Sequence, residues 1–368
     1  MAEADTAASP DGQSAGTTAS GHRRMEGLVI ALAPELAEVH TEQGDLLCAL
    51  RGRLRRPPRE TLAAAPARHT ERRFNAPDRR AGTRRASQRA APASGGIEAP
   101  PTRIAVGDRV RVTPLDATSG VVEEILPRRT VLARSAGEAG GAQVMLANLD
   151  HAALVFAVRE PAPHFGLLDR YLALCEHAGV DITICFNKVD LSIPTEIEAE
   201  AAVYAGLGYH VLWTSALTGA HMDALRERMR DRVSLLTGPS GVGKSSQVNA
   251  LLPRAAQRIG PVSESTGKGR HTTTGARLLP LPDGGWLADS AGIRELALWN
   301  VPEDELARCF VELREVADEC AYDDCAHGPD EEGCALRAAL AAGHITAARF
   351  ASFERLLREA RGAVPAHA

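Results

Sequence analysis

The sequence predicts a multidomain chain in three parts: an N-terminal β-barrel, a central α/β domain and a C-terminal helical segment. Three observations carry this reading. Short β-like runs separated by turn residues recur between residues 25 and 133. From residue 149 onward, continuous apolar runs alternate with helically spaced segments, the pattern of a buried parallel sheet. After residue 299 the spacing becomes helical around a tight group of cysteines and one histidine. A chain of 368 residues has room for two or three such domains.

Composition narrows the functional classes. Aromatic residues are only 4%, so the cores must be built from Ala, Leu and Val. The net charge of −5 argues against a uniformly basic nucleic-acid binder, yet it conceals two opposed regions. Arg51 to Pro92 carries 13 Arg against Glu60, Glu71 and Asp78, a net of +10. Glu303 to Cys334 carries 12 acidic residues against Arg308 and Arg314, a net of −10. The three lysines are Lys188, Lys244 and Lys268, in a chain otherwise rich in Arg, Ala and Gly, as a GC-rich coding bias produces. Two of them fall inside motifs discussed below, where a compact ammonium and a planar guanidinium are not interchangeable. The seven cysteines are odd in number and four are scattered, which does not suggest a disulfide framework. The N-terminus has no apolar signal core and no apolar run is long enough to cross a bilayer. A cytoplasmic protein acting as a monomer, without a membrane partner, is expected.

The elements follow in order. Residues 1–24 are polar and without hydrophobic period, and read as a disordered tail. Gly27–Leu32, Leu36–His40, Asp45–Leu50, Ile104–Thr113, Gly120–Leu126 and Thr130–Ala133 read as strands, with Val106-Gly107-Asp108-Arg109-Val110 at a turn into one of them. Five or so short strands over residues 25–140 suggest a small barrel, with the OB-fold as one candidate. Residues 57–101 are rich in Pro, Ala and Arg without periodicity and are too long for a barrel loop. They read as a disordered basic insertion, either a solvated linker or an electrostatic arm for RNA phosphates. Beyond 149, His151–Val158, Val180–Phe186, His210–Thr214 and Val233–Thr237 read as strands. Phe165–Ala178, Glu196–Leu207 and Met222–Arg232 read as the helices between them.

The strand at Val233–Thr237 leads into Gly238-Pro239-Ser240-Gly241-Val242-Gly243-Lys244-Ser245-Ser246. This matches G-x-x-x-x-G-K-[ST], the phosphate-binding P-loop, and a helix over Ser245–Leu252 follows as the motif requires. Glycines let backbone N–H groups curl around phosphates, and the helix N-terminus adds a favourable dipole. Lys244 would reach the β- and γ-phosphates, and the Ser245 hydroxyl would sit on Mg²⁺.

Asn187-Lys188-Val189-Asp190 stands at a strand end and fits N-K-x-D. A carboxylate there can accept from guanine N1–H and its 2-amino group. Adenine has no 2-amino group and its N1 is an acceptor, so Asp190 disfavours an ATPase or kinase. Asn187 can address the other base edge and the Lys188 stem can cover the ring. Alone N-K-x-D is a common polar turn; with a P-loop and a Ser215-Ala216 turn it points to GTP. Gly267 to Thr274 is rich in Gly and Thr and reads as a switch loop. One of Thr272, Thr273 and Thr274 can complete the Mg²⁺ shell. Asp289-Ser290-Ala291-Gly292 is D-x-x-G after a short strand, Asp289 reaching Mg²⁺ through water and Gly292 sensing the γ-phosphate. N-K-x-D and Ser-Ala precede the P-loop instead of following D-x-x-G, so the domain is circularly permuted. Permutation is tolerable where termini lie close and the sheet stays intact.

Cys320, Cys325, His327 and Cys334 offer three thiolates and an imidazole within 15 residues, a full tetrahedral set for one structural Zn²⁺. Four protein ligands leave no open position for catalysis. Glu303–Ala317 and Ala335–Arg361 read as helices with apolar stripes.

Together these residues resemble the RsgA (YjeQ) family of circularly permuted GTPases, over about residues 25–361. The resemblance implies an OB-fold over 25–140 with the insertion 57–101, a permuted GTPase domain over 145–298 and a helical zinc-binding domain over 299–368. It implies slow hydrolysis of GTP, stimulated by the small ribosomal subunit late in its maturation, with rRNA as a partner. The family's common D-T-P-G is here Asp289-Ser290-Ala291-Gly292, which keeps the Asp and Gly. Ile293 follows where many GTPases place a water-orienting Gln, so the intrinsic rate should be low. His271 is the nearest candidate to position the water, an assignment the resemblance supports; it can equally contact rRNA or order the loop. A second reading is a GTP-binding sensor or scaffold with negligible turnover that regulates a protein partner through the acidic zinc segment.

Overall fold

The computed structural model describes residues 24–33, 35–55, 103–135, 142–252, 276–289 and 301–362. The tail before residue 24, the basic insertion 57–101, the switch segment with His271, Thr272, Thr273 and Thr274, and Ser290 to Ile293 with Gly292 lie outside the described residues.

Alternating burial builds the N-terminal barrel. Its strands are β1 (Met25–Leu32), β2 (Leu36–Thr41), β3 (Gly44–Leu50), β4 (Arg109–Pro114) and β5 (Ser119–Ile125). They close in the order β1-β2-β3-β5-β4, with β3 and β5 parallel and the other pairs antiparallel. Val29, Val39, Cys48, Val110, Val112 and Val122 fill the interior. This is the five-stranded closed barrel expected of an OB-fold. A four-residue helix α1 (Gly52–Arg55) leaves β3.

Two expected strands differ. The strand anticipated over 104–113 begins only at Arg109, because buried Asp108 folds the preceding residues into a turn. Its carboxylate accepts from the Ala105 N–H at 2.7 Å and from Arg128 at 2.7 and 2.8 Å. The run at 130–133 does not join the barrel. It lies in β6 (Val131–Ser135), which pairs antiparallel with β7 (Ala142–Ala147) as a separate hairpin. Leu132 and Leu146 bury their side chains in the central domain's core, and period-2 alternation cannot say which of two cores a strand faces.

The central sheet runs β10-β9-β8-β11-β13-β12. Its strands are β8 (His151–Ala157), β9 (Asp181–Asn187), β10 (His210–Trp213), β11 (Val233–Thr237), β12 (Leu278–Pro280) and β13 (Trp286–Ala288). All pairs are parallel except the edge strand β12. All seven residues of β8 are buried, because both faces of the strand are covered. Ala152, Leu154 and Phe156 face one core, and Ala153, Val155 and Ala157 face the other. The crossovers are helices α2 (Phe165–Ala178), α3 (Thr195–Gly206), α4 (Met222–Met229) and α5 (Lys244–Leu251).

In the C-terminal part the two long helices expected are broken. Glu303–Cys309 is a 3-10 helix, ended where Phe310 turns extended and its ring packs edge-on against Phe353 at 5.5 Å. The expected helix over 335–361 divides into α6 (Ala335–Ala341) and α7 (Ala347–Ala360). Gly343, at φ +76°, donates to Leu340 O, and His344 donates to Ala339 O. That is a Schellman stop, which L side chains tolerate poorly. Thr346 then caps α7 by accepting from the Arg349 N–H at 3.3 Å.

Helix α7 docks on the central domain through shared apolar core residues, an Arg170–Glu359 ion pair and a buried guanidinium. Arg349, 3% exposed, donates to Asp169 of α2 at 2.6 Å and to both carboxylate oxygens of Glu312 at 2.7 and 2.8 Å. Tyr204 of α3 donates to the same Asp169 at 2.8 Å. Burial alone would lower the Arg349 pKa, but Glu312 and Asp169 more than offset it and raise it. Arg349→Ala strands two buried carboxylates and is expected to cost about 3–5 kcal/mol. Urea unfolding monitored in the C-terminal part should show this, and a loss below about 1 kcal/mol would mean the network contributes little.

Candidate functional site

Parallel strands place all their C-terminal ends along one edge, and the loops that leave that edge form the site. Register puts Ala157 opposite Asn187, Phe186 opposite Trp213 and Leu154 opposite Thr237. The N-K-x-D loop after β9, Ser215-Ala216 after β10, the P-loop after β11 and Asp289 after β13 therefore emerge side by side.

The P-loop runs from Gly238 to Ser246 and opens α5, whose N-cap is Gly243. A Cβ on Gly238 would stand 2.0 Å from Val155 O, and one on Gly243 would stand 2.4 Å from Asn187 Nδ2. These two glycines are required by close approach. The loop backbone lies against β8, and the Asn187 amide reaches over it. Pro239 is half-buried and Ser240 and Gly241 are exposed, while Val242 is buried and anchors the loop. Lys244 folds back over the loop, donating to Gly238 O at 2.7 Å and Pro239 O at 2.5 Å. Burial lowers its pKa. Ser245 and Ser246 are exposed at the helix start.

Asn187, 2% exposed, joins the loops. Its Nδ2 donates to Val242 O at 2.9 Å, and its Oδ1 accepts from Ala216 N–H and the Thr214 hydroxyl, each at 3.3 Å. Lys188 sits at φ +65° and its ammonium donates to Glu160 O, in the loop after β8. Val189 donates its N–H to Thr214 O at 3.2 Å. Asp190 is exposed, and its Oδ1 accepts from the Ser215 hydroxyl at 2.5 Å. Asp289 is exposed at the end of β13, where its N–H donates to Arg277 O at 2.7 Å. Asp289 and the exposed Ser245 leave adjacent strands, and their hard oxygens suit Mg²⁺.

The motif reading missed several participants. Thr214 and Gln247 are fully buried polar residues inside this site, and Glu160 meets Lys188 only through the fold. A glutamine in the first turns of a helix that must pack on a sheet was a signal available in the sequence.

The second cluster lies in the C-terminal part. Cys320, Cys325, His327 and Cys334 present ligand atoms all within 4.8 Å of one another. Each Sγ lies 3.6 Å from His327 Nδ1. The S-to-N edge of a tetrahedron with ordinary zinc bond lengths is about 3.6 Å, so the donor set fits that ion. Burial lowers the His327 pKa, the direction that favours the neutral imidazole a ligand needs. His327 sits at φ +54°, and its carbonyl is held by Arg337 at 3.3 Å. The Gly333 carbonyl accepts from Ala321 N–H at 3.0 Å, so the segments bearing Cys320 and Cys334 lie side by side.

Known proteins share sequence and fold with this chain. A family model described as RsgA GTPase matches residues 125–299. A relative from Gemmatimonas aurantiaca, named small ribosomal subunit biogenesis GTPase RsgA, is 42% identical over 71% of this chain and 85% of its own length. One of the same name from Sodalis glossinidius is 44% identical over 65% of this chain and 70% of its own. The crystal structure of YjeQ from Thermotoga maritima superposes with a TM-score of 0.65 at 28% identity, covering 92% of this chain and 99% of that one. YloQ, described as a circularly permuted GTPase, superposes at 0.62 and 24% identity over 95% and 99%, a likeness that bears on fold alone. Sequence identity and fold agree: the chain belongs to the RsgA family of GTPases.

Proposed function

We propose that this chain hydrolyses GTP to GDP and phosphate during late maturation of the small ribosomal subunit, slowly alone and faster on the subunit. The observation that carries the reading is the Asn187 amide, which joins an N-K-x-D loop to a P-loop at one sheet edge. Asp190, oriented by Ser215, reads the guanine edge, Asn187 and the Lys188 stem flank the base, and Val189 and Ala216 line it. Residues Gly238 to Ser246 cradle the phosphates. Lys244 exchanges its two carbonyl partners for phosphate oxygens when nucleotide enters. Ser245, Asp289 and one threonine of 272–274 would hold Mg²⁺, which neutralises charge developing on the phosphates. Gly292 senses the γ-phosphate, and His271 positions the attacking water in place of the glutamine that Ile293 cannot replace.

The Cys320, Cys325, His327 and Cys334 set holds one structural zinc. The barrel contacts rRNA, and the net charge of −10 over segment 303–334 disfavours contact with RNA phosphates there. Working domain limits are 25–140, 145–298 and 299–368. The chain acts as a cytoplasmic monomer. Among the described residues no helix is long and apolar enough to cross a membrane.

The test is GTP turnover with and without purified small subunits. Stimulation of at least about tenfold is expected, corresponding to about 1.4 kcal/mol of barrel-mediated and switch-mediated barrier lowering. His271→Ala should bind GTP normally and lose that stimulation. Absence of both stimulation and co-sedimentation would overturn the assembly-factor reading and favour a GTP-binding sensor.

A further inference from the structure

Gln247 is a buried polar residue that the motifs leave without a role. It lies one turn into α5, fully buried, on the helix that the P-loop opens. Its Nε2 donates to Thr214 Oγ1 at 2.8 Å, and the Thr214 hydroxyl donates in turn to Asn187 Oδ1 at 3.3 Å. Asn187 Nδ2 then donates to Val242 O at 2.9 Å, and the Gln247 N–H donates to Gly243 O at 3.0 Å. The chain of bonds is closed. It leaves the P-loop through α5, crosses to the end of β10, passes to the end of β9 and returns to the P-loop.

Direction matters in this ring. Thr214 has a single hydroxyl proton, and the N–H from Gln247 takes one of the oxygen's lone pairs, so the proton is not given to Gln247. The proton is thereby aimed at Asn187 Oδ1. That oxygen also accepts from the Ala216 N–H at 3.3 Å, and the Thr214 hydroxyl is the second donor that holds the Asn187 amide with Nδ2 toward the P-loop. The other half of the Gln247 amide supplies a contrast. Its buried Oε1 has no hydrogen-bond partner among the described residues. A buried unsatisfied carbonyl lowers stability, and an apolar side chain of similar size would avoid that penalty. Fold stability therefore does not explain the glutamine.

We propose that Gln247 is a positioning residue for guanine-nucleotide binding, acting through Thr214 to lock the Asn187 amide and join the base loop to the P-loop. This rests on the guanine site proposed above. The test measures affinities of the full chain for GDP and for inorganic pyrophosphate, by competition against a fluorescent guanine nucleotide, alongside thermal unfolding. Gln247→Leu is expected to melt no lower than the parent. It should bind GDP about five- to tenfold more weakly, the worth of one hydrogen bond. Pyrophosphate affinity should change less than about twofold, because the P-loop backbone is held by its own turns. Thr214→Val should give the same loss, Thr214→Ser should restore binding, and the double variant Gln247→Leu with Thr214→Val should be no worse than either alone.

Unchanged GDP binding in Gln247→Leu would overturn the proposal. So would equal losses for GDP and pyrophosphate, or additive losses in the double variant. If Gln247→Leu does not fold, the Val and Ser variants of Thr214 decide alone, and equal GDP affinity in both overturns it. The parent chain separates this inference from the reading beneath it. Equal affinity for ADP and GDP in the parent means the guanine site itself is wrong, whereas a GDP preference untouched by Gln247→Leu removes Gln247 only.

Discussion

Asp190→Asn is expected to lower GTP affinity by about two to four orders of magnitude while binding xanthine nucleotides better than the parent does. Guanine offers two donors, N1–H and the 2-amino group, to one carboxylate. The Ser215 hydroxyl donates to Oδ1 at 2.5 Å, so the side chain's orientation is set before any base arrives. In the asparagine variant the amide oxygen would keep that bond, and the amide nitrogen would turn a donor toward the guanine amino group. Two donors facing each other are repulsive and leave a desolvated polar pair unmet. Xanthine carries a carbonyl at that position and accepts the amide's proton. Competition of GDP and XDP against a fluorescent nucleotide reads the exchange. Strict guanine selectivity retained by the variant would remove Asp190 from base recognition.

Loss of the proposed structural zinc should have the largest effect on stability. Purified chain is expected to carry one zinc, by elemental analysis. Cys334→Ser or chelation should destabilise the C-terminal part by several kcal/mol, given about 10–16 kcal/mol for structural zinc in small domains. The reason is local. Cys334 is itself the N-cap residue of α6, with its carbonyl accepting from Ala338 N–H at 3.1 Å. His327 stands 6.3 Å from the Phe353 ring of α7, and Arg337 ties its carbonyl to an ion pair with Glu354. Releasing the ligands loosens α6 and α7 together, and with α7 goes the Arg349 anchor on α2. Limited proteolysis should then cut after residue 301, while GDP binding, built on the central sheet, stays within about threefold. A zinc-free chain that melts like the parent would show the cluster to be dispensable.

Much of this molecule was legible in the linear chain because its chemistry is local. A P-loop is nine consecutive residues whose backbone does the work, so Gly238 to Ser246 announce themselves. Asn187 to Asp190 and Ser215-Ala216 are equally short, and their order before the P-loop was enough to recognise the permutation. The cysteine and histidine spacing singled out four side chains that the fold brings together, since all four fall within 15 residues. The run of apolar residues in β8 identified a buried parallel strand for the same reason: seven side chains in succession have nowhere else to go.

What the chain order did not reveal were pairings between distant segments, because residue types and spacing are blind to them. Strand β6 has the same alternation as a barrel strand, and only packing sends Leu132 and Leu146 to the central core. The stop at Gly343 and the turn at Phe310 depend on what their neighbours pack against. Arg349 was one arginine among many until α2 and Glu312 closed on it. Gln247, Thr214 and Glu160 carry no motif, and their importance arises from hydrogen bonds across 27 to 33 positions of sequence. The sequence by itself determined which phosphate, base and metal motifs this chain carries, since each motif is a short contiguous segment. Only the tertiary structure decided how the loops are locked to one another, since each of those bonds needs two partners that the fold alone brings together.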